Sequence, residues 1–292
     1  MSKTLEQGFN TFISRLIPLG TEHDKAASHK DSVFGCLESN HNCKNMFEIG
    51  SFGAGTGVRH YSDSDYFTVF PTEDLKQNSS GSLRLIKESL QRTFPRTEGI
   101  AVTTPAIKIP FGEYASETME ITPCDKFGTI QTIFGKFNQY QIADGEGGWK
   151  NSSPSAHNAY VNHHNNRLNG KLKPLIQLVK AWKYYNSVPI SSFYLELRTT
   201  KYAETQNTII YDTDLYNIIK FFAIEKLPAI NDPLGITGRI VACNSDTQRE
   251  TSLNKVHADF LRAEDAFKFR ESDLDKCFDR WNIFFNHKFP AR

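Results

Sequence analysis

Residues 46–70 read MFEIGSFGAGTGVRHYSDSDYFTVF, in which an apolar segment, a glycine-rich stretch and a pair of aspartates follow one another. Met46–Ile49 predicts a short strand, and the glycines that begin at Gly50 predict a turn opening a helix. Free backbone N–H groups in such a turn can bind an anion. No lysine follows Gly57 as in a P-loop, and the glycine spacing differs from that of the dinucleotide fingerprint. A tight turn that binds nothing therefore stays open as the alternative.

Asp63 and Asp65 lie two residues apart, directly before the predicted strand Tyr66–Phe70. Alternate residues of a strand point to the same side, so the two carboxylates should converge. They repel each other unless a cation lies between them. Mg²⁺ suits such a place, because it prefers a few carboxylates together with phosphate oxygens. For an isolated pair of this kind, a solvated turn is the alternative.

Glu120 is the one acid among the apolar residues of a third predicted strand, Thr118–Thr122. A carboxylate on a buried strand is costly unless a metal or another cation accompanies it. If this strand lies beside the aspartate strand, the acids complete a site for two metals, one acting on an attacking hydroxyl and one on a triphosphate. We therefore predict Asp63, Asp65 and Glu120 as catalytic residues and as ligands of two Mg²⁺ ions, which Mn²⁺ could replace.

Composition excludes several other classes of protein. The chain has 292 residues, 39% of them hydrophobic and 23% charged, which is typical of a globular protein of one or two domains. The formal net charge of +1 gives no general surface for nucleic acid. The cysteines and histidines lack zinc-ligand spacing, and neither a signal peptide nor an apolar run of ~18 residues is visible. We predict a soluble cytoplasmic protein that uses no zinc and no membrane.

The pattern along the chain predicts an α+β half followed by an almost wholly helical half. Predicted strands are 46–49, 66–70, 100–102, 106–111 and 118–122, and residues 144–155 form a loop. Predicted helices are 5–19, 24–38, 82–94, 155–168, one beginning near 174, then 191–203, 213–226, 245–269 and 273–286.

The core residues resemble a known motif. Gly50-Ser51, then Asp63-Ser64-Asp65, then Glu120 before Pro123 is similar to the signature of the DNA polymerase β-like nucleotidyltransferases. More narrowly, the chain resembles the cGAS/DncV-like nucleotidyltransferases, the CD-NTases of bacterial CBASS anti-phage systems. The resemblance covers nearly the whole chain and includes the blocks Gly148-Trp149, Ser153-Pro154, 157–160, 172–176, 180–182, 189–196 and Asp232-Pro233.

That resemblance implies a fold and further site residues. It implies a nucleotidyltransferase palm of mixed sheet and flanking helices over residues 1–170, a helical lid domain over 171–292, and a cleft between them. Gly50 and Ser51 would hold the donor triphosphate, Lys180 would bind the same phosphates, Ser192 would contact them, and Phe193 would stack on a base. The alternatives are that Lys180 is a solvated helix lysine and that Phe193 belongs to the core.

The resemblance also implies a reaction. We expect a Mg²⁺-dependent synthase that joins nucleoside triphosphates, with ATP and GTP favoured, into a purine cyclic dinucleotide such as cyclic GMP-AMP, releasing pyrophosphate. A separate effector protein would read the product, and direct activation by DNA is not expected. The enzymatic alternative is template-independent nucleotide transfer to RNA 3′ ends or to a protein. A nucleotide sensor without chemistry is the third hypothesis, which the intact acids disfavour.

Overall fold

The computed structural model describes residues 2–20, 24, 28–61, 64–115 and 117–292. The chain divides into two compact units. The sheet unit comprises Pro18–Ala159, and the helical unit comprises the N-terminal residues up to Ile17 together with Tyr160–Arg292.

The described residues of the sheet unit form a seven-stranded mixed sheet. Its strands are β1 Asn45–Ile49, β2 Ser64–Phe70, β3 Ala101–Thr103, β4 Ala106–Phe111, β5 Glu117–Thr132, β6 Gly135–Ala143 and β7 Trp149–Ser152. The order is β1-β2-β5-β4-β3, with β6 pairing β5 and β7 pairing β6. Strands β2 and β5 are parallel, whereas the other pairs run antiparallel. The first helix of the chain, α1 Leu5–Leu16, belongs to the helical unit. The described helices that lie wholly in the sheet unit are α2 Lys30–His41, α3 Gly50–Ala54 and α4 Ser79–Thr93.

Helices α2 and α4 cover one face of this sheet. The amphipathic spacing of Leu83, Ile86 and Leu90 places them on one side of α4, where they pack in a core cluster with Met119 and Ile121 of β5. The other face, here called the acid face, carries a smaller apolar cluster of Phe67, Cys124, Tyr140 and Ile142. Because alternate residues of a strand face opposite sides, Asp65 and Glu120 share the acid face with Phe67 and Cys124.

Strand β5 is much longer than the sequence predicts. Its first half pairs with β4, and its second half forms an antiparallel hairpin with β6 that the sequence analysis does not include. Strand β7 also lies inside the predicted loop 144–155 and pairs with β6. Much of the hairpin is exposed or half-buried, and in β6 the buried residues Tyr140, Ile142 and Ala143 all lie near its end, so the apolar periodicity that marks a half-buried strand covers only a short stretch.

The helical unit contains seven described helices and a short β-ribbon. The helices are α1 Leu5–Leu16, α5 Pro154–Arg167 (most of which lies in this unit), α6 Leu172–Tyr185, α7 Ser192–Ala203, α8 Tyr211–Ile224, α9 Asp246–Phe269 and α10 Leu274–Phe284. Trp182 of α6 and Trp281 of α10 are fully buried and form the centre of its core. Helix α1 ends at Leu16, just before the predicted stop at Pro18, because Ile17 precedes the proline and is extended, with φ −65° and ψ 123°.

The division into units differs from the predicted boundary between residues 1–170 and 171–292. Helix α1 packs with the C-terminal helices, where the ring of Phe9 meets that of Trp281 at 5.3 Å between centroids. A contact between the two ends of the chain cannot be read from the order of the elements. The second helix also differs, since it runs from Lys30 to His41, and residues 25–27 of its predicted start lie outside the described residues.

The predicted α+β class, with a mixed sheet, flanking helices and a C-terminal helical part, is confirmed. None of the described helices is both long enough and apolar enough to cross a membrane.

Candidate active site

The glycine turn after β1 lies directly against an acid. Gly50 has φ +68°, a conformation that costs most other residues free energy. A Cβ atom placed on Gly50 would fall 2.7 Å from Cγ of Asp65 and 2.8 Å from its Cβ. Position 50 therefore needs glycine for its backbone conformation and for the close approach of Asp65. The turn continues into the five-residue helix α3, which carries Ser51 and ends at Gly55 in the left-handed conformation.

Asp65 and Glu120 are direct neighbours across the sheet. In the parallel pair of β2 and β5, the Cα of Asp65 is in register with that of Glu120. Residues in register on adjacent strands project from the same face, and neighbouring strands lie about 4.7–4.9 Å apart. On its other side, Asp65 is in register with Ile49, the residue before the glycine turn. The predicted adjacency of the two strands is thus present, and it brings together Gly50, Asp65 and Glu120.

Lys108 extends this arrangement across the sheet. Strand β4 runs antiparallel to β5, and Lys108 is in register with Glu120. Three consecutive strands therefore carry Asp65, Glu120 and Lys108 in one row on the acid face, which we call the charged row. All three side chains belong to half-buried residues. Two carboxylates held side by side on a partly buried surface repel each other, and either the ammonium of Lys108 or a bound cation can offset that repulsion.

Asp63 lies outside the described residues, as does Ser62. The described part of the chain contains no group of three or more His, Cys, Asp or Glu residues that could hold a metal. The predicted trio includes Asp63, so the described residues contain two of its members. The donor set fits a hard divalent cation, because Asp65 and Glu120 offer carboxylate oxygens from adjacent positions of one face.

Lys180 is buried rather than solvated, contrary to the alternative that the sequence left open. The residue is 2% exposed in α6, and its Nζ donates to Oε2 of Glu196 in α7 at 2.5 Å. Lys173 lies seven residues earlier, so helical spacing places it near the same face of α6. Burial lowers the pKa of Lys173, and the nearby charge of Glu196 partly counteracts that shift. Glu196 thus interacts electrostatically with two lysines of α6.

Ser192 lies at the beginning of α7 and contacts a different lysine. Nζ of Lys183 donates to Oγ of Ser192 at 2.7 Å, and the hydroxyl of Tyr184 lies 3.1 Å from the same oxygen. The preceding Ser191 caps the helix, because its side chain accepts from the backbone N–H of Tyr194. Phe193 is 38% exposed, so it is not a simple core residue.

Three residues of these arrangements are absent from the sequence prediction. Lys108 could not be found because strand register is not visible in one sequence. Sequence reasoning could have found Lys183, because helical spacing relates it to Lys180. It could also have found Glu196, because an acid near the start of α7 is a natural partner for a buried lysine. Their pairing depends on how α6 and α7 pack, which periodicity alone does not specify.

Comparisons with known proteins agree with the predicted resemblance. The chain is 24% identical to a probable cyclic nucleotide synthase of Bacillus cereus, over 100% of this chain and 99% of that protein. It is 28% identical to a cyclic AMP-AMP-AMP synthase of an Acinetobacter species, over 51% of this chain and 49% of that protein. No family model matches the chain.

The fold is also that of solved CD-NTases. The CdnC protein of Escherichia coli, solved in a complex with a HORMA protein, superposes with a TM-score of 0.72 at 15% identity over 98% of both chains. The same protein solved with ATP gives a TM-score of 0.70 at 14% identity, over 98% of this chain and 99% of that one. The predicted resemblance to the CD-NTases is confirmed, and the comparisons support a nucleotidyltransferase enzyme.

Proposed function

We propose that this protein is a Mg²⁺-dependent synthase that joins nucleoside triphosphates into a cyclic oligonucleotide. The observation that carries the proposal is the register of Asp65 with Glu120, beside the turn at Gly50. Two adjacent carboxylates next to an anion-binding turn suit a reaction in which a metal-bound triphosphate is attacked by a hydroxyl. The full-length similarity to a probable cyclic nucleotide synthase supports the same reaction class.

In the proposed reaction, the ribose hydroxyl of an acceptor nucleotide attacks the α-phosphorus of a donor in line. A new phosphorus–oxygen bond forms, the bond to the bridging oxygen breaks, the hydroxyl loses its proton to solvent, and pyrophosphate leaves. A second attack within the linear intermediate closes the ring and releases a second pyrophosphate. We expect a purine cyclic dinucleotide of the cyclic GMP-AMP type, made from ATP and GTP.

The residues have distinct proposed roles. Asp63, Asp65 and Glu120 would hold two Mg²⁺ ions, which supply positive charge to the phosphates and lower the pKa of the attacking hydroxyl when bound. Gly50 and Ser51 would hold the donor triphosphate through backbone N–H groups and a hydroxyl. The roles of Gly50 and Ser51 are supported by the resemblance and by the position of Gly50 beside Asp65.

On the helical unit, Lys180 and Ser192 are proposed to contact the donor phosphates, and Phe193 is proposed to stack on a base. The exposure of Phe193 is compatible with stacking. Lys180 would have to share its ammonium between Glu196 and a phosphate. Lys183, hydrogen-bonded to Ser192, adds a second ammonium near the proposed phosphate contact.

Within a cell, the cyclic product would act as a second messenger of anti-phage defence that a separate effector protein reads. The test of the chemistry is incubation of the protein with labelled ATP, GTP, CTP and UTP and Mg²⁺, with and without added RNA. A small phosphatase-resistant product, analysed by mass spectrometry and linkage-specific nucleases, is the expected result. Labelled RNA or labelled protein would replace the proposal with template-independent transfer, and no turnover would leave a nucleotide sensor.

A further inference from the structure

Lys108 is a cation of the acid face that the proposed mechanism does not use. It lies in register with Glu120 on one side and with Ala101 of β3 on the other. Its position in the charged row is set by two strand pairs, so it depends on the sheet and not on a flexible loop. Lys108 is half-buried, which leaves part of its side chain accessible.

The order of the strands gives the pair of carboxylates on β2 and β5 different neighbouring strands on its two sides. Strand β1, which leads into the glycine turn, lies on the β2 side, whereas β4 and β3 lie on the far side of β5. The proposed donor triphosphate occupies the side of Gly50. In-line displacement requires the attacking hydroxyl to approach opposite to the leaving pyrophosphate. The acceptor nucleotide is therefore expected on the other side of the carboxylates, above β4 and β3.

On that side, the surface of the sheet carries small side chains and the positive charge of Lys108. Around Lys108, the acid face of β4 and β3 carries the small residues Ala101, Thr103 and Pro110, together with Ala106, which is buried. The side chains of Ala101 and Thr103 are exposed. Small residues leave room for a nucleotide, and an ammonium on a flexible stem suits the oxygens of a polyphosphate.

We propose that Lys108 binds the phosphates of the acceptor nucleotide. The inference rests on the proposed function and deepens it, because it assigns one residue to the acceptor and divides the charged row between two substrates. The competing explanation is that Lys108 only pairs with Glu120 as a cross-strand ion pair. The two explanations differ in whether the effect of Lys108 depends on the phosphates of the acceptor.

The test separates donor and acceptor by chemistry. A 2′,3′-dideoxynucleoside triphosphate can act only as donor, and an α,β-methylene nucleoside triphosphate can act only as acceptor. Formation of the linear dinucleotide is measured with adenine and guanine versions of both, and with adenosine or guanosine as acceptors that lack phosphates. The proteins are wild type, Lys108→Met, Lys108→Arg and a control, Lys136→Met, which removes an exposed lysine of β6 in the same sheet.

Lys108→Met should raise the KM for the acceptor triphosphate about tenfold or more, because a charge-assisted contact is lost. Its donor KM and its rate with the unphosphorylated nucleoside should stay within about twofold of wild type. Lys108→Arg should restore most of the acceptor affinity, and Lys136→Met should match wild type. Circular dichroism and thermal unfolding of each variant verify the fold.

Two results would overturn the inference. If Lys108→Met slows the nucleoside and the triphosphate acceptor equally, Lys108 acts through Glu120 or the sheet and not on phosphate. If it changes neither, Lys108 has no part in the reaction. A wild-type protein that forms no phosphodiester bond with any pair would instead refute the proposed function, and the assignment of Lys108 would fall with it.

Discussion

At the scale of single residues, the contact between Gly50 and Asp65 joins the glycine turn to the first acid among the described residues of the predicted trio. A Cβ atom at position 50 would fit only if the side chain of Asp65 moved away. Gly53, three residues later, is different. A Cβ atom there would meet no atom closer than 3.7 Å, at the backbone oxygen of Glu48.

Gly50→Ala should therefore disable the site, whereas Gly53→Ala should not. A side chain at φ +68° costs about 1–2 kcal/mol, and displacement of Asp65 adds about 1–3 kcal/mol. We expect a lower midpoint of thermal unfolding and loss of most product formation in Gly50→Ala alone. Equal behaviour of the two variants in both measurements would show that the turn does not control Asp65.

Asp65→Asn should abolish synthesis while leaving the fold intact. The substitution removes a charged oxygen ligand with little change of volume, and we expect a rate loss above about 10³-fold. Asp63→Asn should behave alike if it supplies the remaining carboxylate. In EDTA, the unfolding midpoint of Asp65→Asn should equal or exceed that of wild type, because like-charge repulsion with Glu120 is relieved.

Glu73→Gln is the matched control, since it removes an exposed acid of the same unit. It should retain wild-type turnover. Substantial turnover in both Asp65→Asn and Asp63→Asn would mean that the reactive carboxylates lie elsewhere in the chain.

At the scale of elements, helices α6 and α7 are joined by the ion pair of Lys180 and Glu196. Its side chains are 3% and 11% exposed. Removing one partner of a buried pair leaves the other charge uncompensated, which typically costs about 3–5 kcal/mol. A surface pair such as Lys201 with Glu204, whose side chains are 50% and 27% exposed, is worth about 1 kcal/mol or less.

Lys180→Met and Glu196→Gln should each lower the free energy of unfolding of the protein by about 3 kcal/mol, and the double variant by less than their sum. Lys180→Ala should also raise the KM for the donor triphosphate, because a charge on the proposed phosphate contact is lost. Urea unfolding of the four proteins of the cycle measures the coupling, and Lys201→Met is the control. Strictly additive losses would show that the two side chains do not act as a pair.

The limits of sequence prediction are visible at the same scale. The strands at the site and most helices were predicted, because apolar periodicity marks elements that pack on a core. The β5–β6 hairpin was not, since that signal covers only the end of β6. Glu120 was predicted from its chemistry, as an acid in an apolar strand. Lys108 and Glu196 could not be assigned, because register and helix packing depend on residues distant in the chain.

At the scale of the whole molecule, the sheet unit carries the carboxylates and Lys108, while the helical unit carries Lys180 and Ser192, which are proposed to contact the donor phosphates. The similarity to a probable cyclic nucleotide synthase extends over both units, and the fold matches CdnC over 98% of the chain. Neither unit alone contains every proposed site residue. We therefore expect that catalysis requires both units in one chain.

The most direct test of the central claim is to measure nucleotide binding and bond formation separately in Glu120→Gln. If Glu120 acts on the attacking hydroxyl, this variant should bind ATP and GTP in the presence of Mg²⁺ with an affinity within about threefold of wild type. It should make the phosphatase-resistant product at least about 10³-fold more slowly. Wild-type synthesis by Glu120→Gln would contradict the claim that the register pair of Asp65 and Glu120 is the reactive centre.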